Sequence, residues 1–286
     1  MKSYYKVTEL RPGRYRIYDP LGVHMDLFAG KEKALLLDTG FGLADLKSVV
    51  KQITDLPLYV VNSHGHKDHA CGNYQFEEPV YIHPEDMEVC RRHHSKESKR
   101  RILNYKESAV DFFTGEPVKP MLGEIDEEQY LQRPVGNLRA LREGEVFDLG
   151  GIVLEVIELP GHTAGSIGLM DRGQRTLYAA DAANNEVWLF LEEATPLSTY
   201  RKTLDKIWDL DFDKMVIAHF PLPLERDVIK DYMDLADHID FERGVPFSSP
   251  LLPATDARLC VRDGYAPGEM MRPGFASIVI SENKLK

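Results

Sequence analysis

The sequence predicts an α/β protein, with its 286 residues folded as a single domain. Three observations carry this expectation. Short apolar runs rich in β-branched residues alternate with stretches whose apolar residues recur at helical spacing. Histidines and aspartates follow directly after several of the runs, and α/β proteins place their chemistry on the loops at strand ends. The composition, 43% hydrophobic and 28% charged, is that of a globular chain able to bury a sizeable core.

In order along the chain, residues 14–18 alternate like an edge strand. Residues 23–29 and Lys33 to Asp38 read as two more, joined by a turn at Gly30-Lys31-Glu32. Asp38-Thr39-Gly40 ends the last of these, and its short carboxylate is suited to holding the backbone of a neighbouring loop. Leu43, Leu46, Val49, Val50 and Ile53 mark one face of a helix. Pro57 then precedes a buried strand, Leu58 to Val61. On the loop leaving that strand lies Ser63-His64-Gly65-His66-Lys67-Asp68-His69. Imidazole is a preferred ligand of zinc, and carboxylate suits harder cations.

Pro79 to Ile82 is the next short strand, and Pro84 opens a helix. His93 and His94 fall in a basic, polar stretch, Arg91 to Arg101, that reads as a solvated helix face; they are not assigned as ligands. Residues 95–135, broken by Gly115, Pro117, Pro120 and Gly123, read as an inserted helical and loop segment, either a lid or a structural insertion. Strands resume at 138–141, 145–149 and 152–159. The last is interrupted by Pro160-Gly161-His162-Thr163. Residues 167–171 and 177–181 are strands, the second finishing on Asp181, and 214–218 is a strand finishing on His219. Leu197 to Leu210 and Leu224 to Phe241 have helical spacing, and two late strands lie near 258–262 and 276–280.

The formal charge of −11 argues against a nucleic-acid partner, which calls for a basic face. Cys71, Cys90 and Cys260 are odd in number, widely spaced and form no CxxC pair, which fits a reducing compartment. Cys71, two residues past His69, reads as a packed thiol. The opening residues carry no signal-peptide core and no apolar run reaches membrane-spanning length, so a cytoplasmic protein with no membrane partner is expected.

His64, His66, Asp68, His69, His162, Asp181 and His219 therefore all follow strand ends. Seven ligand-type groups suit two metal ions, since a catalytic zinc takes about three protein ligands, and Asp181 is the group suited to bridge them. His64-Gly-His66-Lys-Asp68-His69, Pro160-Gly161-His162-Thr163, Ala180-Asp181 and Ala218-His219 resemble, in order, the signature of the metallo-β-lactamase superfamily, and Leu37-Asp38-Thr39-Gly40 resembles its upstream turn. The resemblance implies a four-layer αββα sandwich. It implies His64, His66 and His162 on one metal, Asp68, His69 and His219 on the other, and Asp181 shared. The all-histidine set suits zinc; the second position admits iron or manganese.

Two metals can share a hydroxide nucleophile and polarise a substrate oxygen. The expectation is a dinuclear hydrolase acting on a small ester, thioester or lactone. Asp68 is a candidate catalytic residue that orients water or carries a proton, besides serving as a ligand. A phosphodiesterase, a non-haem iron oxidoreductase of the same fold and a metal-binding module without turnover are the alternatives. His66 in place of glutamate, and the lack of a flavodoxin-like module after residue 240, weigh against the redox reading. Trp188, Phe190 and Leu191 either offer an apolar wall for a small-molecule substrate or pack as core side chains. The Pro- and Gly-rich stretch 246–273 either wraps a partner subunit in a homo-oligomer or closes the domain.

Overall fold

The structure, a computed structural model, describes residues 4–184, 186–253, 255–269, 272 and 274–286. Residues 1–3, on which part of the N-terminal expectation rests, and 254, 270, 271 and 273 of the Pro- and Gly-rich stretch lie outside the described residues. Two compact units divide the chain, one running to Val153 and the other starting at Leu154.

The first unit is built on a seven-stranded sheet in sequence order. Its strands are β1 (Lys6–Arg11), β2 (Arg14–Asp19), β3 (Val23–Ala29), β4 (Ala34–Leu37), β5 (Leu58–Val61), β6 (Val80–Ile82) and β7 (Leu138–Ala140). Strands β1 to β4 pair antiparallel, and β4 to β7 pair parallel. The change follows from the connections: tight turns join the first four, whereas helix-bearing segments join the rest. Residues 14–18 are not an edge strand. β1 covers them, and its own residues are mostly exposed while β2 is mostly buried. The alternation at 14–18 comes from Arg14 and Arg16, and Arg16 is in fact buried at 2% exposure against Asp26, Nε to Oδ1 3.2 Å.

Helix α1 (Leu46–Ile53) starts later than the apolar spacing suggests because Asp45 caps it, its side chain accepting from Ser48 N at 3.0 Å. The short α2 (Lys67–Ala70) begins inside the histidine loop, and α3 (Met87–His93) follows a 3₁₀ turn at Pro84–Asp86. Residues 95–135 hold α4 (Lys96–Ser108), α5 (Lys119–Leu122) and α6 (Glu127–Gln132). This segment is tied to the turn after β4: the Tyr130 hydroxyl donates to Phe41 O at 2.7 Å. Strand β8 (Val146–Asp148) closes the unit.

In the second unit, strands β9 (Val153–Glu158), β10 (Ile167–Asp171) and β11 (Thr176–Ala180) form an antiparallel meander. β12 (Glu186–Leu189) leads to α7 (Leu197–Asp209), then β13 (Lys214–Ile217), which pairs parallel with β11. β14 (Leu224–Glu225) pairs antiparallel with β13, so the helix expected from Leu224 to Phe241 shortens to α8 (Val228–Asp237). Pro221 and Pro223 disfavour helical backbone at Phe220 and Leu222, just ahead of β14. β15 (Val245–Pro246), β16 (Arg258–Val261) and β17 (Ser277–Ile280) complete a small sheet in the order β12-β17-β16-β15. Leu197, Tyr200, Leu204 and Ile207 of α7 are buried with Ile229, Tyr232 and Leu235 of α8 and Met170, Leu177, Met215 and Ile217 of the strands. Each such side chain contributes about 1.5–3 kcal/mol on burial.

Candidate metal centre

In the first unit, β5 delivers the chain to Asn62 and Ser63, and the histidine loop turns under the control of Asp38. Asp38 is buried at 1% exposure and sits just beyond β4 with φ +66°. Its Oδ1 accepts from Ser63 N at 2.7 Å, and its Oδ2 lies 2.7 Å from Ser63 Oγ and 2.8 Å from His69 Nδ1. The carboxylate thus holds the loop, as its position at the strand end suggested. Below it runs a buried amide network: Thr39 Oγ1 donates to Asn73 Oδ1 (2.8 Å), Asn73 Nδ2 to Asn62 Oδ1 (2.7 Å) and Asn62 Nδ2 to His69 O (3.2 Å).

The structure gathers His64, His66 and His69 within this unit. The ring centroids of His64 and His69 are 4.1 Å apart, and those of His64 and His66 4.6 Å. All three are buried, while Asp68 is partly exposed with its Oδ2 3.5 Å from His69 Nε2. Gly65 is dictated by space. A Cβ there would stand 2.6 Å from Cys90 N and 2.7 Å from Asp86 O, both backbone atoms. Its own N–H donates to Asp86 Oδ2 at 2.6 Å.

One expectation changes here. His93 and His94 are not on a solvated helix face. His94 is buried, its Nδ1 2.8 Å from Cys90 O, and burial pushes its pKa down to about 4. His93 stacks on His66, with centroids 4.6 Å apart and an interplanar angle of 28°. The basic run around them hid this, because stacking depends on a neighbour 27 positions away, not on local charge. Cys71 is the packed thiol expected: it is buried, and burial raises its pKa to about 12.

In the second unit, His162, Asp181 and His219 come together. The ring nitrogens of both histidines approach one oxygen of Asp181: His162 Nε2 to Oδ2 3.6 Å and His219 Nε2 to Oδ2 3.3 Å. Asp181 follows Ala180, whose φ of +46° and register shift against β13 turn the chain abruptly at the strand end. Ala218 N donates to Ala180 O at 3.1 Å, tying the strand end that precedes His219 to the one that precedes Asp181. His162 is aimed by the Trp188 carbonyl, which accepts from its Nδ1 at 2.9 Å. Gly161 lets that loop press on α7, since a Cβ would lie 2.5 Å from Tyr200 Cδ2.

The donor chemistry of both sets fits divalent cations. A carboxylate and a carbonyl only accept, so Nδ1 of His69 and of His162 carries a proton, and in the neutral ring Nε2 is the nitrogen that offers a lone pair. Those lone pairs then face carboxylate oxygens of Asp68 and Asp181 at 3.5 and 3.6 Å. A neutral imidazole and a carboxylate held that close repel unless a proton or a metal cation lies between them.

The family model of the metallo-beta-lactamase superfamily matches residues 18–219, a span that takes in all seven of these residues. The chain belongs to the metallo-beta-lactamase superfamily. Its mixed α/β architecture of several sheets and helices matches the metallo-beta-lactamase fold. Among solved structures, a metallo-beta-lactamase family protein from Thermus thermophilus superposes with a TM-score of 0.57 at 21% identity, covering 79% of each chain. An inverting sec-alkylsulfatase from Pseudomonas sp. gives 0.60 at 15% identity, covering 82% of this chain and 42% of that one. Among sequences, the acyl-coenzyme A thioesterase MBLAC2 of Gallus gallus is 30% identical over 208 residues, 68% of this chain and 71% of the relative. The protein of the same name from Homo sapiens is 25% identical over 210 residues, with the same coverage.

Proposed function

We propose that this superfamily member is a metal-dependent thioester hydrolase. His64, His66 and His162 would hold one divalent ion, Asp68, His69 and His219 a second, and Asp181 both. In this reading the whole chain forms one catalytic domain. The observation that carries it is the convergence of imidazole Nε2 on carboxylate oxygen at His69–Asp68 and at His162–Asp181, a donor set that a divalent cation would hold together. The thioester part of the reading draws on the relatives named acyl-coenzyme A thioesterase. When bound, divalent ions lower the pKa of water and polarise a carbonyl oxygen.

The chain's own residues supply the rest. Asp38 and the Trp188 carbonyl fix the His69 and His162 tautomers, so neither ring has to reorganise to ligate. Trp188, Phe190 and Phe247 form a ring cluster with centroids 5.3–5.5 Å apart. It grows from the same strand that orients His162 and offers an apolar surface to the acyl part of a substrate. In this reading Asp68 serves as a ligand and also orients water or takes a proton.

Protein loaded with zinc, manganese or iron is expected to hydrolyse acyl thioesters faster than lactones or phosphodiesters of similar size. A chelator should abolish the activity and added metal restore it. Thioesters left intact with every metal would sink the reading. Asp68→Asn separates the two roles of that residue. Loss of activity and of metal in parallel makes it a ligand; at least a tenfold fall in kcat with metal retained makes it a proton carrier as well, a range general acid–base groups commonly reach.

A further inference from the structure

The rings of His64, His69 and His162 are each oriented through Nδ1 by an oxygen: Ser63 Oγ at 3.0 Å, Asp38 Oδ2 at 2.8 Å and Trp188 O at 2.9 Å. Against His66 lies a ring face. His66 sits at the N-cap of α2, and the ring laid against it belongs to His93, the last residue of α3. α3 is in turn fixed to the histidine loop along its length. Its N-terminal side receives the Gly65 N–H on Asp86 Oδ2 at 2.6 Å, and Gly65 packs on the backbone of Cys90 and Asp86 with no room for a Cβ. At its C-terminal end, Cys71 Sγ approaches the His93 carbonyl at 3.8 Å, and buried His94 ties back to Cys90 O. Cys71 is also the C-cap residue of α2. The two helices therefore clasp the loop, and the backbone under the His93 ring is anchored on both sides.

We propose that His93 is a positioning residue for His66 and that α3 exists in this fold as the brace that carries it. The inference rests on the reading of His66 as a metal ligand. A stacked ring removes the freedom of His66 to rotate about its side-chain bonds, so less ordering remains when a cation binds. A cation-bound imidazole is electron-poor, and the electron-rich face of a neighbouring ring favours it. A ring face is what the role needs, and phenylalanine would supply one; alanine and glutamine would not.

The test uses the full chain stripped of metal. Cobalt(II) is titrated while its visible ligand-field band is recorded, and zinc(II) affinity is measured by competition with a chromophoric chelator. His93→Ala and His93→Gln are expected to bind zinc roughly tenfold more weakly, the lower end of what partners of ligating residues cost, and to shift the cobalt band. His93→Phe is expected to stay within about twofold of the parent protein and to keep its band, on the strength of the retained stacking. Parent-like affinity and band in His93→Ala would overturn the proposal. So would a His93→Phe variant as weak as His93→Ala, because the ring face would then be irrelevant. If the parent protein itself binds neither metal, the metal-dependent reading of the whole centre falls and this inference falls with it; the other two outcomes leave that reading intact.

Discussion

Asp38 shows how much of the centre hangs on one side chain that ligates nothing in the proposed arrangement. It accepts a backbone N–H, a hydroxyl and a ring N–H while almost fully buried, in a left-handed backbone conformation. Such a conformation in a non-glycine residue costs on the order of 1–2 kcal/mol and persists only where its surroundings impose it. Asp38→Asn keeps the shape but places an amide donor in a cluster that needs acceptors. The His69 ring would flip its tautomer or lose its bond. Zinc affinity is expected to fall about 10- to 100-fold, measured by chelator competition, and the metal-free protein should lose about 1–3 kcal/mol in urea denaturation. The role of Asp38 was legible in the sequence, because a carboxylate at a strand end has few other uses. The role of His93 was not, because nothing local distinguishes a stacked histidine from a solvated one.

Among the elements, the ones that position ligands are short and end abruptly, and their ends are the informative part. β4, β5, β11 and β13 each deliver a polar residue at or just beyond their last position, and these strands were readable from apolar runs bounded by turn residues. β1, β12, β14 and β15 were not read. Each is held by a partner it meets only in the folded chain, as β12 is by β17, and short strands of that kind carry little periodicity of their own. The clasp of α2 and α3 on the histidine loop makes a strong demand on one position. Gly65→Ala drives a methyl into two backbone atoms that cannot swing aside. It is expected to destabilise by about 1–3 kcal/mol, the usual cost of overpacking, with parallel loss of metal binding. Gly161→Ala meets only the edge of the Tyr200 ring and should cost less, so a common denaturation assay on the two variants checks the difference between backbone and side-chain crowding.

At the scale of the whole molecule, the motif order along the chain was enough to place it in its superfamily, because a signature scattered over residues 64–219 is far more specific than any of its parts. What remained hidden was the buried charge beneath the first sheet. Asp19 and Asp26 are both buried, and that burial raises each pKa from 3.8 to about 6. For Asp19 the loss of water outweighs hydrogen bonds from the Tyr4 hydroxyl (2.5 Å) and Leu21 N (2.9 Å); for Asp26 it outweighs Arg16. A carboxyl whose pKa is higher folded than unfolded takes up a proton on folding. These two groups therefore favour the fold below about pH 4, and that contribution is lost as pH rises to about 6 and beyond. Asp19→Asn keeps the acceptor for Tyr4 and removes the charge. Urea denaturation of the metal-free protein at pH 5 and pH 7.5 should show a smaller loss of stability with rising pH in the variant, by about 1 kcal/mol.

The parallel pairing of β12 with β17 sets Trp188 opposite Val279. A ribosome that has made the first 219 residues has delivered every candidate ligand, yet the strand that seats the Trp188 carbonyl has still to be synthesised. His162 takes its aim from that carbonyl. During translation, then, the nascent polypeptide carries the full donor set before its second half is locked into a geometry ready for a cation, and clipping the tail ahead of Ser277 would blunt a centre whose own residues were all left in place.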